Sequence, residues 1–350
     1  MNNPFPDFWG NKPVSSALAQ MLSASRIPQT ILLAGPEGVG KATLVRRFAA
    51  RLLGDAAKIE QDDLSLQGNV ELIEQRGKWP AEKRADDPLI FASHPDFVTL
   101  APDGPLRQVS IQQARLLKDR ALFRPLRGGH RVFLIDRLDR ANEQAANSLL
   151  KLLEEPPDYL IVFATAENLY DLLPTIRSRS VVFQLTRLTE DEMHGFIQEK
   201  SLSGGELRQQ IAEGCPGAAV TLDLAKYKER RDLVLSLFEC ASGAAPFSDW
   251  IQNSESFSNR KTEKLDFYLK PAYGLLEDLL WARQGNKPLL NRDVQNRVAA
   301  VAAGVDFGWI ERATRSFDEL ALLVRRNIQK IIALDAVIMD LRNQLRVDRA

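Results

Sequence analysis

Cysteine is scarce in this chain: Cys215 and Cys240 are the only two among 350 residues. Two thiols cannot build a disulfide framework, and their separation is not a metal-ligand spacing, so both are expected as small core or surface residues in a reducing cytosol. An excess of charge of one sign is lacking too. Lys plus Arg and Asp plus Glu both number 46, for a net charge of zero, which argues against nucleic-acid binding by bulk electrostatics. A local basic patch, or an assembly whose other subunits hold the DNA, stays compatible with that balance. There is no uncharged run of about 18 residues such as a membrane helix requires. The first residues, Met1 to Gly10, have neither the basic n-region nor the apolar h-region of a secretory signal. A cytoplasmic location with no membrane partner is the expectation. What remains is ordinary globular material, 45% hydrophobic and 26% charged, long enough for two or three domains.

The most informative stretch is residues 35–43, Gly-Pro-Glu-Gly-Val-Gly-Lys-Ala-Thr, which follows the apolar run Thr30 to Ala34 and opens a helical segment, Leu44 to Leu53. Strand, glycine-rich turn and helix are the setting of a phosphate-binding P-loop. Gly35, Gly38 and Gly40 let backbone N–H groups converge on phosphate oxygens, the helix start adds its positive dipole end, and Lys41 would reach the outer phosphates. The position after the lysine calls for Ser or Thr to hold magnesium, yet Ala42 stands there and Thr43 comes one residue late. One residue turns a helical side chain by roughly 100°, so Thr43 is not an automatic substitute.

Strand and helix signals alternate through the first half, the pattern of a parallel sheet covered on both faces. Residues 54 to 93 are polar and charge-rich and predict an inserted loop or peripheral helices. Phe97 to Leu100 predicts a strand, Gln112 to Phe123 a helix, and Arg127-Gly-Gly-His130 a turn. The apolar run Val132 to Ile135 then delivers Asp136 to the edge of the sheet. Such an aspartate either supports magnesium, usually through water, or simply caps the turn. The next residue, Arg137, cannot accept a proton from an attacking water, so efficient hydrolysis by this chain alone is not expected. A helix over Asn142 to Leu153, stopped by Pro156 and Pro157, leads to the run Leu160 to Ala164, which ends at Thr165. Val181 to Leu185 is a further short strand. Arg120, Arg124, Arg127 and Arg131 lie around the Gly128-Gly129 turn; a solvated charged face is the expectation, with DNA or partner contact as the other reading.

Together, Gly35 to Lys41, Leu134 to Pro157 (Leu-Ile-Asp-Arg-Leu-Asp-Arg-Ala-Asn-Glu-Gln-Ala-Ala-Asn-Ser-Leu-Leu-Lys-Leu-Leu-Glu-Glu-Pro-Pro) and Leu172 to Ser180 (Leu-Leu-Pro-Thr-Ile-Arg-Ser-Arg-Ser) resemble the clamp-loader family of AAA+ ATPases. The resemblance spans residues 8 to 225 in motif detail and is most specific at Asn147 to Pro157 with Thr175 to Arg179. It implies an α/β P-loop AAA+ domain with a parallel sheet (residues 1–186), a small helical lid (187–225) and an all-α collar, the oligomerisation domain (226–350). Family members carry a Ser-Arg-Cys element whose arginine enters a neighbour's ATP site; here it is Ser178-Arg179-Ser180, which implies Arg179 as an in-trans finger, the other reading being a surface arginine before a strand. Thr165 resembles the sensor-1 position, or is an ordinary strand-end hydroxyl. The nucleotide site implied comprises Gly35, Gly38, Gly40, Lys41, Thr43, Asp136 and Thr165, with ATP or ADP held weakly and Asp136 as a weak magnesium ligand. Partners implied are the gamma/tau ATPase subunits, the delta subunit, the sliding clamp, and primed DNA through the assembly of the DNA polymerase III holoenzyme.

Departures from the family point one way. The magnesium hydroxyl is displaced, Arg137 replaces the catalytic glutamate, and Glu213-Gly-Cys-Pro-Gly-Ala218 lacks the sensor-2 arginine. Residues 54 to 95 contain no cysteine, so the zinc module of many relatives is not expected. The chain resembles a subunit that serves its neighbour's site. From Lys226 onward only helical spacing occurs, over Arg231 to Phe238, Lys264 to Arg283 and Phe317 to Leu345, as a collar or a plain helical bundle requires. A self-sufficient AAA+ motor and a P-loop small-molecule kinase are the alternatives; Arg137 argues against the first, and the helical C-terminal third fits the second poorly.

Overall fold

The computed structural model describes residues 5, 7–258, 265–285, 287–323 and 330–347. It divides into two compact units, Met1–Gly205 with Ile211–Thr221, and Glu206–Gln210 with Leu222–Ala350.

In the first unit the elements run α1 (Lys12–Ser23), β1 (Thr30–Ala34), α2 (Lys41–Leu53), α3 (Ala56–Glu60), α4 (Gln67–Arg76), α5 (Ala81–Asp86), β2 (Phe97–Leu100), α6 (Ile111–Ala121), β3 (Arg131–Ile135), α7 (Glu143–Glu154), β4 (Leu160–Ala166), α8 (Pro174–Arg177), β5 (Val181–Gln184), α9 (Glu190–Glu199), α10 (Gly205–Ala212) and α11 (Pro216–Thr221), of which α10 is divided, its residues Glu206–Gln210 being counted with the second unit. The five strands pair with one another in parallel, in the order β2-β3-β4-β1-β5, and Phe91 adds a single antiparallel bridge to Thr99 of β2. The first four strands are buried along their whole length, which is why they read as unbroken apolar runs rather than alternating ones. Side chains of successive strand residues point to opposite faces, and two cores result. Leu32, Phe133, Ile135 and Val162 pack with Leu117 of α6 and Leu149 of α7. Ile31, Leu33, Leu134 and Phe163 pack with Leu18 of α1 and Leu44 and Phe48 of α2. The α/β layering, helices on both faces of a parallel sheet, follows from that alternation.

Local signals set several boundaries. Ser110 and Gln113 form a reciprocal capping box at the start of α6, and Asn142 caps α7 by accepting from the Ala145 N–H at 2.8 Å. Residues 54 to 93 hold the short helices α3 to α5, with Ile73, Leu89, Phe91 and Ala101 forming a small core of their own. β4 extends through Ala166, so Thr165 lies inside the strand rather than at its end. Arg131, grouped by sequence with solvent-facing arginines, is buried. Its guanidinium donates to the carbonyls of Arg120 and Phe123 at 2.8 and 2.9 Å and of Pro95 at 3.3 Å, so carbonyl acceptors satisfy a charge that burial would otherwise penalise.

The second unit is helical: α12 (Leu224–Ser242), α13 (Phe247–Ser258), α14 (Asp266–Gln284), α15 (Gln295–Gly304), α16 (Phe307–Leu323) and α17 (Lys330–Val347). Phe238 sits at its centre, edge-on to both Trp309 and Phe317 with ring centroids 5.8 Å apart. Of the helix expected over Phe317 to Leu345, residues 324–329 and the side chains of Leu323 and Ile331 lie outside the described residues, as does Lys264 at the start of another. No described helix is long and apolar enough to cross a membrane.

Candidate functional site

The strand order brings the C-terminal ends of β1, β3 and β4 side by side, since β4 pairs with both of the others. In a parallel α/β sheet that edge is where ligands bind. Three connections therefore converge: residues 35–40 after β1, Asp136 and Arg137 after β3, and Glu167 after β4. They border a cavity of about 440 Å³, which Gly38, Gly40, Lys41, Thr43, Asp136 and Arg137 help to line.

The loop after β1 takes the conformation its glycines permit. Gly35 has φ +144°, and a Cβ there would lie 2.4 Å from the Leu185 carbonyl oxygen, so only glycine allows β5's end to sit so close. Gly38, at φ +78°, would put a Cβ 3.0 Å from the Ala218 nitrogen. α2 begins at Lys41, leaving its first N–H groups open to an anion. The Lys41 ammonium folds back to donate to the carbonyls of Gly35 (2.5 Å) and Pro36 (2.8 Å). Burial lowers its pKa, opposed by the charge of Asp136.

Thr165 links the other two connections. Its buried hydroxyl donates to Asp136 Oδ1 at 2.7 Å and accepts from the backbone N–H of Arg137 at 2.8 Å. Asp136 keeps a little surface toward the cavity, yet protein surrounds it so closely that desolvation raises its pKa, against the pull of Thr165 and Arg137. Arg137 itself holds φ 54°, an uncommon conformation for a non-glycine residue. Its Nη1 donates to Glu37 Oε1 at 2.7 Å and its Nη2 to Glu167 Oε2 at 3.2 Å. Sequence reading missed this bridge. Its partners lie 100 and 30 residues from Arg137, although the rule that strand ends share one edge would have collected all three.

Thr43 lines the cavity, but its hydroxyl oxygen accepts from Arg46 Nη2 at 3.4 Å, and that guanidinium also binds Glu60 and Asp63. With no side-chain oxygen on Ala42, the Thr43 hydroxyl, which already accepts from Arg46, is the one side-chain oxygen the first turn of α2 offers a divalent cation. Among the described residues no group of three or more His, Cys, Asp or Glu is arranged to hold a metal ion. The Glu213 to Ala218 segment meets the loop by its backbone: the Gly217 N–H donates to the Gly38 carbonyl at 2.8 Å. A Cβ on Gly217 would come within 3.0 Å of the Gly38 Cα and oxygen. Arg179 stands apart from the residues that line the cavity. It is 42% exposed, pairs with Glu154 Oε1 at 3.2 Å, and donates to the Thr175 carbonyl at 3.1 Å. The arrangement can cradle an anion, while both carboxylates beside the loop, Glu37 and Glu167, are turned onto an arginine.

Comparison with known proteins gives the following. The family model described as DNA polymerase III, delta subunit, matches residues 83–189. The gamma/tau subunit of DNA polymerase III from Mycobacterium tuberculosis is 30% identical over 187 residues, 50% of this chain and 27% of that protein. The tau subunit from Escherichia coli is 30% identical over 189 residues, 54% and 26% of the respective chains. The chain thus spans about a quarter of the length of these relatives. Among solved structures, a DNA polymerase III gamma subunit-related protein from Thermotoga maritima aligns over 94% of this chain and 99% of its own, with a TM-score of 0.48 and 17% identity.

Proposed function

We propose, from the premise that the chain belongs to the DNA polymerase III clamp-loader family, that it serves as the delta-prime-like subunit of a clamp loader in the cytoplasm. In this role it assists ATP-driven loading of the sliding clamp on primed DNA, beside the gamma/tau ATPase subunits and the delta subunit. It supplies Arg179 to a neighbour's ATP site and hydrolyses little nucleotide in its own.

The observation that carries this reading is the contrast between two arginines. Arg137 stands at the sequence position of the family's water-polarising glutamate, cannot accept a proton there, and engages Glu37 and Glu167. Arg179 faces solvent outside that site, held by one ion pair to a half-exposed glutamate and one carbonyl. Exposed pairs of that kind are worth about 0–1 kcal/mol, so the guanidinium is easily surrendered to a stronger acceptor. A γ-phosphate developing charge in an adjoining subunit is such an acceptor, and a cation fixed there lowers the barrier. Gly35, Gly38, Gly40 and Lys41 remain a phosphate cradle, with Asp136 and Thr165 behind them. Magnesium has weak purchase, because Ala42 offers no oxygen and Thr43 is engaged by Arg46.

The test is the ATPase rate of the assembled loader with clamp and primed DNA, comparing wild type with Arg179→Ala. A loss of roughly tenfold or more is expected, a conservative threshold beside the roughly thousandfold or greater effect of an arginine finger, with the complex intact on a sizing column. An unchanged rate refutes the finger. Several turnovers per minute by the isolated chain would refute the division of labour.

A further inference from the structure

We propose that the P-loop cavity takes the polyphosphate of a nucleotide without a divalent cation, the Arg137 guanidinium standing where the metal would. The inference rests on reading residues 35–43 as a phosphate-binding loop and is independent of the Arg179 finger.

Arg137 is placed for this by its backbone. Its N–H is held by the Thr165 hydroxyl at 2.8 Å and its φ is 54°, and the side chain enters the same cavity that Lys41 lines. The two cations are near enough that Arg137 adds to the effects lowering the Lys41 pKa, of which burial is the largest. The guanidinium fork spans from the P-loop residue Glu37 to Glu167 beyond β4, across the mouth between loop and sheet edge. Both carboxylates are largely in water, at 69% and 50% exposure. Such side chains rotate outward at little cost, which releases a planar, permanently charged fork whose geometry matches two phosphate oxygens. Lys41 likewise exchanges the Gly35 and Pro36 carbonyls for phosphate.

The same surroundings disfavour a metal. Magnesium needs a near-octahedral shell of oxygens. Here Ala42 provides none, the Thr43 hydroxyl already accepts from Arg46, and Oδ1 of Asp136 accepts from Thr165 at 2.7 Å. The fixed guanidinium of Arg137 would also repel a dication entering the cavity. A cation built into the chain needs no dehydration and no free oxygen ligands.

The experiment is titration calorimetry of the full chain with ADP and with ATP, once in excess EDTA and once in excess magnesium chloride, repeated on Arg137→Ala, Arg137→Lys and Lys41→Ala. The expected result is a Kd that agrees between EDTA and magnesium within about twofold for wild type. Arg137→Ala should weaken binding in EDTA by roughly tenfold or more, the scale of a lost charge-assisted contact, with Arg137→Lys recovering part of it. Lys41→Ala should lose binding in both media. Weakening by tenfold or more on chelation overturns the proposal, as does wild-type affinity in Arg137→Ala, or no heat with either nucleotide at millimolar concentration. Should Arg137→Ala fail to fold by circular dichroism, the wild-type comparison of EDTA with magnesium decides alone. None of these failures touches the Arg179 assay, and a failure of that assay leaves this titration standing.

Discussion

Replacing Thr165 with Val removes one hydroxyl and keeps the side-chain shape, so its effect isolates the link between β3 and β4. In the native chain that hydroxyl makes two bonds, one donated to the Asp136 carboxylate at 2.7 Å and one accepted from the Arg137 N–H at 2.8 Å. A neutral bond contributes about 0.5–1.5 kcal/mol and one to a charged group about 1.5–3 kcal/mol, and the buried N–H is left without its acceptor. The expected loss is about 2–4 kcal/mol. For a unit of this size each kcal/mol moves Tm by about 2–4 °C, so calorimetry of the full chain should show the first unit's transition fall by roughly 5–15 °C. Thr165→Ser, which keeps the oxygen, should fall by less. Because Thr165 acts partly through Asp136, the double variant with Asp136→Asn should depart from additivity by about 0.5–3 kcal/mol. A drop of under about 2 °C for Thr165→Val, or strict additivity in the cycle, would refute the view of Thr165 as the connecting group.

Asp136→Asn should stabilise the ligand-free chain near neutral pH. The folded pKa of Asp136 is raised by burial, so its contribution is fully present below the unfolded carboxyl pKa, about 4, and is lost as pH rises through the folded value. The gain in Tm should therefore grow above pH 4 and vanish below it; a gain that persists in acid would contradict the assignment. Gly217→Val should cost about 1–3 kcal/mol by overpacking, since its Cβ would stand 3.0 Å from Gly38 main-chain atoms. Urea unfolding checks this, and a midpoint equal to wild type would mean that α11 is not seated on the loop.

The sheet was legible because each buried strand is a short apolar run bounded by polar residues. Val132 to Ile135 and Phe97 to Leu100 need no knowledge of their neighbours to be recognised, and β3 merely starts one residue earlier, at Arg131. Arg131 itself was not legible. Periodicity registers a charge but not the carbonyls of Pro95, Arg120 and Phe123 that satisfy it. The same limit hid the ion pairs that organise residues 54 to 103, where Arg76 of α4 reaches Asp103 at 2.9 Å and Arg46 of α2 reaches Asp63. In the site, the glycine spacing identified the loop, and Ala42 and Arg137 were visible as departures. How Arg137 is used was not visible, because its partners join it only once β1, β3 and β4 share an edge.

The hydrogen bond from Gly217 to Gly38 also limits what position 217 can hold. Helix α11 meets the loop through the Gly217 N–H, with 3.0 Å left for any Cβ, so a side chain at 217 has to push the helix or the loop aside. A long cation at that point would first require the helix to lift, and lifting it sacrifices contacts before any gain is realised. The contact works as a latch: the backbone alone keeps any side chain at 217 away from the phosphate loop.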